Sequence, residues 1–171
     1  MIDAVHRHHL TNTRTFIEAV ASGPSANLVC GVGFVDLSGF TALTQMLTPA
    51  ELSTLLNGFS AGDAVMWVSP TAEQLAQAAL DLVEHPLARD VGLQVRAGLG
   101  YGDILAINGD YFGNAVNLAA RLVGAAAPGH ILAAAGVHDQ LPDWPMIVLD
   151  PLMLKGFDEP VTAYVLHTGR H

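Results

Sequence analysis

The chain has 171 residues, 51% of them apolar and only 13% charged, with a net charge of −9. That length suffices for one domain with a proper core, and the sparse charge leaves apolar surface to meet a partner. The acidic balance argues against nucleic acid, which needs a basic stripe, but not against nucleotides, whose phosphates are neutralised by bound Mg²⁺.

Residues 1–27 differ from the rest: His6, His8 and His9 cluster on a stretch whose apolar residues Phe16, Ile17 and Val20 have helical spacing, ended by a turn at 22–25. No fourth ligand stands near the three histidines, so the segment reads as a helical linker from an upstream, regulatory domain. An apolar β-like run at 28–35 then delivers one carboxylate, Asp36. The lone Cys30 lies within it, unable to form an internal disulfide, and reads as a small core residue. Ser38 and Gly39 turn the chain, and Thr41 opens an amphipathic segment at 42–47. A carboxylate at a strand end beside a helix start suits a metal-bound phosphate. The ion takes Asp36, and the phosphate oxygens take the backbone N–H groups of Phe40 and Thr41. The same residues also suit an ordinary turn with a serine helix cap.

A second helix, 49–56, starts at Thr48 and Pro49 and is broken by Asn57 and Gly58. A short connector leads to Gly62 and Asp63, a second carboxylate beside a glycine, now at the beginning of an apolar strand, 64–68. Residues 69–71 cap a periodic helix, 72–84, with Leu75, Ala79, Leu80, Leu82 and Val83 on its apolar side. Strands are expected at 91–98 and 103–107, separated by a hairpin turn at Gly100, Tyr101 and Gly102. The glycine spacing there is G-x-G-x-G, with no helix at once and no strand–helix–strand unit around it, so it is not a dinucleotide fingerprint.

Residues 108–113 lead into a helix, 114–123, on which Asn117 and Arg121 are four apart and share a face. A turn at Pro128 and Gly129, a strand at 130–134, a short helix near 137–141 and closing strands at 147–155 (interrupted at Pro151) and 161–167 complete the chain. Strands alternating with helices, with hairpins among them, predict an α+β sandwich of the ferredoxin-like kind forming one domain over 28–171. With no signal-peptide pattern and no apolar run of membrane length, the chain is expected in the cytoplasm without a membrane segment. Taken singly, Asn117 and Arg121 read as a solvated helix face, Asp110 as a turn residue and Lys155 as a surface lysine.

Six segments stand in order: FVDLSGFT at 34–41, GDA at 62–64, RAG at 96–98, DYFGNAVNLAAR at 110–121, PG at 128–129 and LKGF at 154–157. Together they resemble the catalytic domain of class III adenylate and guanylate cyclases, most closely the mycobacterial type of bacterial adenylate cyclase, over about residues 28–168. The resemblance implies a central, mostly antiparallel sheet flanked by helices, and conversion of ATP to 3′,5′-cyclic AMP and pyrophosphate by two-metal-ion catalysis at a homodimer interface. It implies that Asp36 and Asp63 hold two Mg²⁺ or Mn²⁺ ions, that Asp110 reads the adenine amino group and that Asn117 orients the ribose. Arg121 is then the stabiliser of the pentavalent phosphate and Lys155 a triphosphate contact. Metal aspartates from one subunit would face the Asp–Asn–Arg set of the other.

One departure stands out. Asp36 and Asp63 are only 27 positions apart, whereas the family carries a longer helix, a glycine turn and a lysine-bearing strand before the Gly–Asp pair. A hairpin strand is thus expected to be missing here. The alternative function is a catalytically impaired, nucleotide-binding or regulatory cyclase-like module.

Overall fold

The computed structural model describes residues 25–36, 64–84, 95–108 and 110–167. The helices expected at 42–47 and 49–56 lie outside them, as does residue 63. Strand β1 (Ser25–Asp36) lies between β2 (Ala64–Ser69) and β3 (Arg96–Ile107) and is antiparallel to both. Helix α1 (Ala72–Val83) follows β2. Beyond β3 come the short β4 (Asp110–Phe112), helix α2 (Asn114–Ala125), β5 (Ile131–Ala134) and helix α3 (Ala135–Gln140). β6 (Met146–Val148) and β7 (Ala163–Leu166) close the chain. The sheet order is β2-β1-β3-β5-β7-β6, with β4 paired to β3; only β3 and β5 run parallel. This is the mostly antiparallel, helix-flanked α+β sheet expected from the sequence. Among the described residues β2 is an outer strand with β1 as its one neighbour.

The alternation of the strands divides the core in two. Cys30, Val32 and Phe34 of β1 face Ala115, Val116, Ala119 and Val123 of α2 on one side of the sheet. Val35, Trp67 and Leu99 face Leu75 and Ala79 of α1 and Val137 of α3 on the other. A third cluster joins Leu122 of α2 to Leu132, Ala134 and Leu154. α1 begins where its sequence says: the Thr71 hydroxyl accepts from the Gln74 backbone N–H at 3.1 Å, a side-chain cap on the first turn. No described helix is long and apolar enough to cross a membrane.

The hairpin turn expected at Gly100, Tyr101 and Gly102 does not form. β3 runs unbroken through all three residues, paired to β1 along its whole length. The strand–helix–strand unit judged absent is also present, because β3 connects through β4 and α2 to its parallel neighbour β5. Gly98 and Gly100 serve contact rather than turning. A Cβ on Gly98 would lie 2.4 Å from the Ala119 carbonyl oxygen, and one on Gly100 2.5 Å from that of Ala115. They let the α2 backbone lie directly on the strand. The actual turn comes later, at Asn108, whose φ of 49° starts the return into β4. At the chain's end, the strand expected over 147–155 is reduced to β6 plus a bridge from Leu152 to Val161, since Pro151 has no N–H to extend the ladder.

Candidate functional site

Asp36 is the last residue of β1, and the register sets it opposite Ala64 on β2 and Arg96 on β3. It shares the face of Cys30, Val32 and Phe34, the side covered by α2. Arg96 donates from Nη2 to Asp36 Oδ2 at 2.5 Å, with the two side chains only 26% and 23% exposed. Its Nη1 donates to the carbonyl oxygen of Ala126 at 3.4 Å, at the C-cap of α2. The sequence reading quoted Arg96 within a motif but gave it no role. A 60-residue separation from Asp36 hides such a pairing until β1 and β3 are brought together.

The other expected residues divide into three groups. Phe40, Thr41 and Asp63 lie outside the described residues, although β2 begins at Ala64, directly opposite Asp36 and next in the chain after Asp63. Asp110 is half-buried at the start of β4, opposite Ile107 at the far end of β3. Asn117 and Arg121 lie on α2, the first half-buried and the second exposed, turned away from the core-facing Ala115, Ala119 and Leu122. Lys155 is exposed in the turn after Leu154, which the Phe157 N–H closes by donating to the Leu154 carbonyl. Among the described residues, one chain therefore does not gather the set. Asp36 and Asp110 are separated by the 12-residue length of β3, about 35 Å at the usual rise per residue.

A carboxylate at a strand end is a suitable donor for a hard divalent cation. Asp36 already draws a cationic group onto one of its oxygens, and among the described residues its carboxylate is the one donor of that kind placed here. Among the described residues no cluster of three or more metal-ligating side chains occurs. Burial pushes the Cys30 thiol up to about 11, which keeps it protonated and makes it the core residue expected. A cleft of about 690 Å³ opens where β3 runs past its pairing with β5, between the starts of α2 and α3. It is lined by Tyr101, Asp103, Asn114, Leu118, Gly136 and Thr162, none of which the sequence had put forward.

No protein-family model matches the chain. An uncharacterised protein of Mycobacterium tuberculosis is 59% identical over 184 residues, covering 98% of this chain and 49% of that protein. Since 98% of 171 residues is about 168, about 16 aligned positions have no counterpart here. A pH-sensitive adenylate cyclase of the same species is 35% identical over 67% of this chain and 33% of its own length. The chain thus spans half or less of the curated relatives it matches. Among solved structures, the adenylyl cyclase CyaB of P. aeruginosa superposes with a TM-score of 0.68 at 24% identity, covering 86% of this chain and 97% of that one.

Proposed function

This chain is a class III nucleotide cyclase domain in fold and in kinship, and on that premise we propose that it converts ATP to 3′,5′-cyclic AMP and pyrophosphate at a site shared by two copies. The observation that carries the reading is the separation of Asp36 from Asp110. Groups meant for one nucleotide stand at opposite ends of a strand about 35 Å long, a span that favours a second chain supplying one set. A symmetric pair then has two sites. Each takes Asp36 and Asp63 from one copy and Asp110, Asn117 and Arg121 from the other.

In such a site the Asp110 carboxylate accepts a hydrogen bond from the exocyclic amine of adenine, where guanine carries a carbonyl. Asn117 orients the ribose, while the backbone N–H groups of Phe40 and Thr41 and the Lys155 ammonium hold the triphosphate. The ribose 3′-oxygen attacks the α-phosphorus, its proton leaves to solvent, and the bond to the pyrophosphate oxygen breaks. Charge grows on the α-phosphoryl oxygens, and the Arg121 guanidinium, planar and always charged, opposes it. Two Mg²⁺ or Mn²⁺ ions held by Asp36 and Asp63 would lower the pKa of the 3′-hydroxyl and neutralise the leaving pyrophosphate.

The test is cyclic AMP formation from ATP with Mn²⁺ by the purified protein, beside Asp36→Ala and Arg121→Ala. The parent is expected to turn over and both variants to be silent; three silent proteins overturn the reading. The second reading is a module that binds nucleotide without turning it over. It is favoured by the shortened stretch before Asp63 and the unmatched positions against the 59% relative. Saturable ATP binding in a protein that makes no cyclic AMP selects it.

A further inference from the structure

Two contacts of Arg96 stand outside the roles given so far. One is Asp36 Oδ2 at 2.5 Å; the other is the Ala126 carbonyl at 3.4 Å, at the C-terminal end of α2. We propose that Arg96 is a displaceable counter-cation, occupying in the nucleotide-free chain the Asp36 oxygen that a divalent cation takes on loading. The inference rests on the metal-binding reading of Asp36 and adds to it a competition built into the fold.

The geometry supports competition over a purely supporting role. The guanidinium sits directly on Asp36 Oδ2, the kind of oxygen a hard divalent cation would use. A divalent cation binds a carboxylate oxygen at about 2.0–2.6 Å, so ion and guanidinium cannot share that atom without placing like charges in contact. Direct pairing of Asp36 with Arg96 across β1 and β3 keeps the guanidinium within reach whenever the oxygen is vacated. The second seat keeps displacement inexpensive. The last carbonyls of a helix carry its negative end, and Nη1 is already on one of them. Partial burial of both side chains makes the exchange matter, since a half-buried carboxylate without a cation is poorly compensated.

The experiment is a Mn²⁺ titration of the full chain without nucleotide, followed by the paramagnetic signal of free Mn²⁺, with thermal unfolding measured alongside. Arg96→Gln keeps a hydrogen-bonding group of similar reach without charge. It is expected to bind Mn²⁺ about three- to tenfold more tightly than the parent, from the usual strength of a hydrogen bond to a charged group. It should also melt lower than the parent without metal and recover most of that difference when Mn²⁺ is added. Arg96→Lys replaces the fork by a hydrated point charge and should shift affinity in the same direction by less, which keeps the test open if the glutamine variant does not fold. Asp36→Asn should lose the Mn²⁺ site. Unchanged or weaker Mn²⁺ binding in both Arg96 variants, with the site lost in Asp36→Asn, overturns the counter-cation and leaves the metal reading standing. Parent-like Mn²⁺ binding in Asp36→Asn, or no binding by any of the proteins, overturns both.

Discussion

Gly98 of β3 and Ala119 of α2 meet backbone to backbone. A Cβ on Gly98 would sit 2.4 Å from the Ala119 carbonyl oxygen and 2.5 Å from the Val123 nitrogen, distances that real side chains do not adopt. Because neither neighbour is a flexible side-chain tip, the contact fixes how closely α2 approaches the sheet. With it goes the height of Asn117 and Arg121 above β3, and the reach from Arg96 to Ala126.

Gly98→Ala is therefore expected to destabilise the fold by about 1–3 kcal/mol, the usual range for overpacking a close contact. Gly124 gives the contrast: it is exposed on α2, and nothing lies within 4 Å of its added Cβ. Gly124→Ala should stabilise by up to about 1 kcal/mol through helix propensity alone. Urea unfolding of the two variants measures both. Equal stabilities would mean that α2 does not rest on β3 as described.

The Cys30 thiol gives a pH dependence of definite sign. Burial raises it from 9.0 to about 11, so between those values the unfolded chain gives up the thiol proton and the folded chain keeps it. The unfolded state then binds fewer protons, and stability must fall as pH rises. The contribution of the neutral buried thiol is complete below pH 9 and lost progressively toward pH 11, amounting to about 2–3 kcal/mol. Cys30→Ala should be less stable at neutral pH because of its cavity, by about 1–2 kcal/mol, and should lack this decline. Unfolding free energies of parent and variant from pH 8.5 to 11 are the measurement; parallel profiles would place the thiol in water.

Local chemistry was legible in the sequence wherever the answer lay within a few residues. Thr71 caps α1 because Gln74 is three positions on, and Asn117 and Arg121 share a face of α2 because helices repeat that way. β3 defeated the same reading because glycine has two uses. Its lack of a side chain serves tight turns and close packing equally, and only the arrival of α2 on Gly98 and Gly100 decides between them. Arg96 was overlooked for a related reason: a cation at a strand start is unremarkable until a carboxylate 60 positions earlier is set opposite it. The cleft beside Asp103 and Asn114 is likewise assembled from four separate stretches of chain.

The separation of Asp36 from Asp110 makes a prediction about mixing. If each site takes Asp36 from one copy and Arg121 from the other, Asp36→Ala and Arg121→Ala spoil different halves. A dimer of either variant alone has two broken sites. A mixed dimer has one site missing both residues and one site with neither substitution. Random exchange of equal amounts makes half the dimers mixed, so an equilibrated mixture should regain about a quarter of parent activity from two silent proteins. The control is a mixture of Asp36→Ala with the doubly substituted Asp36→Ala, Arg121→Ala chain, which has no intact combination and should stay silent. Cyclic AMP formation after co-refolding is the readout. Silence in the first mixture, with an active parent refolded in parallel, would place the whole site within one chain despite the length of β3.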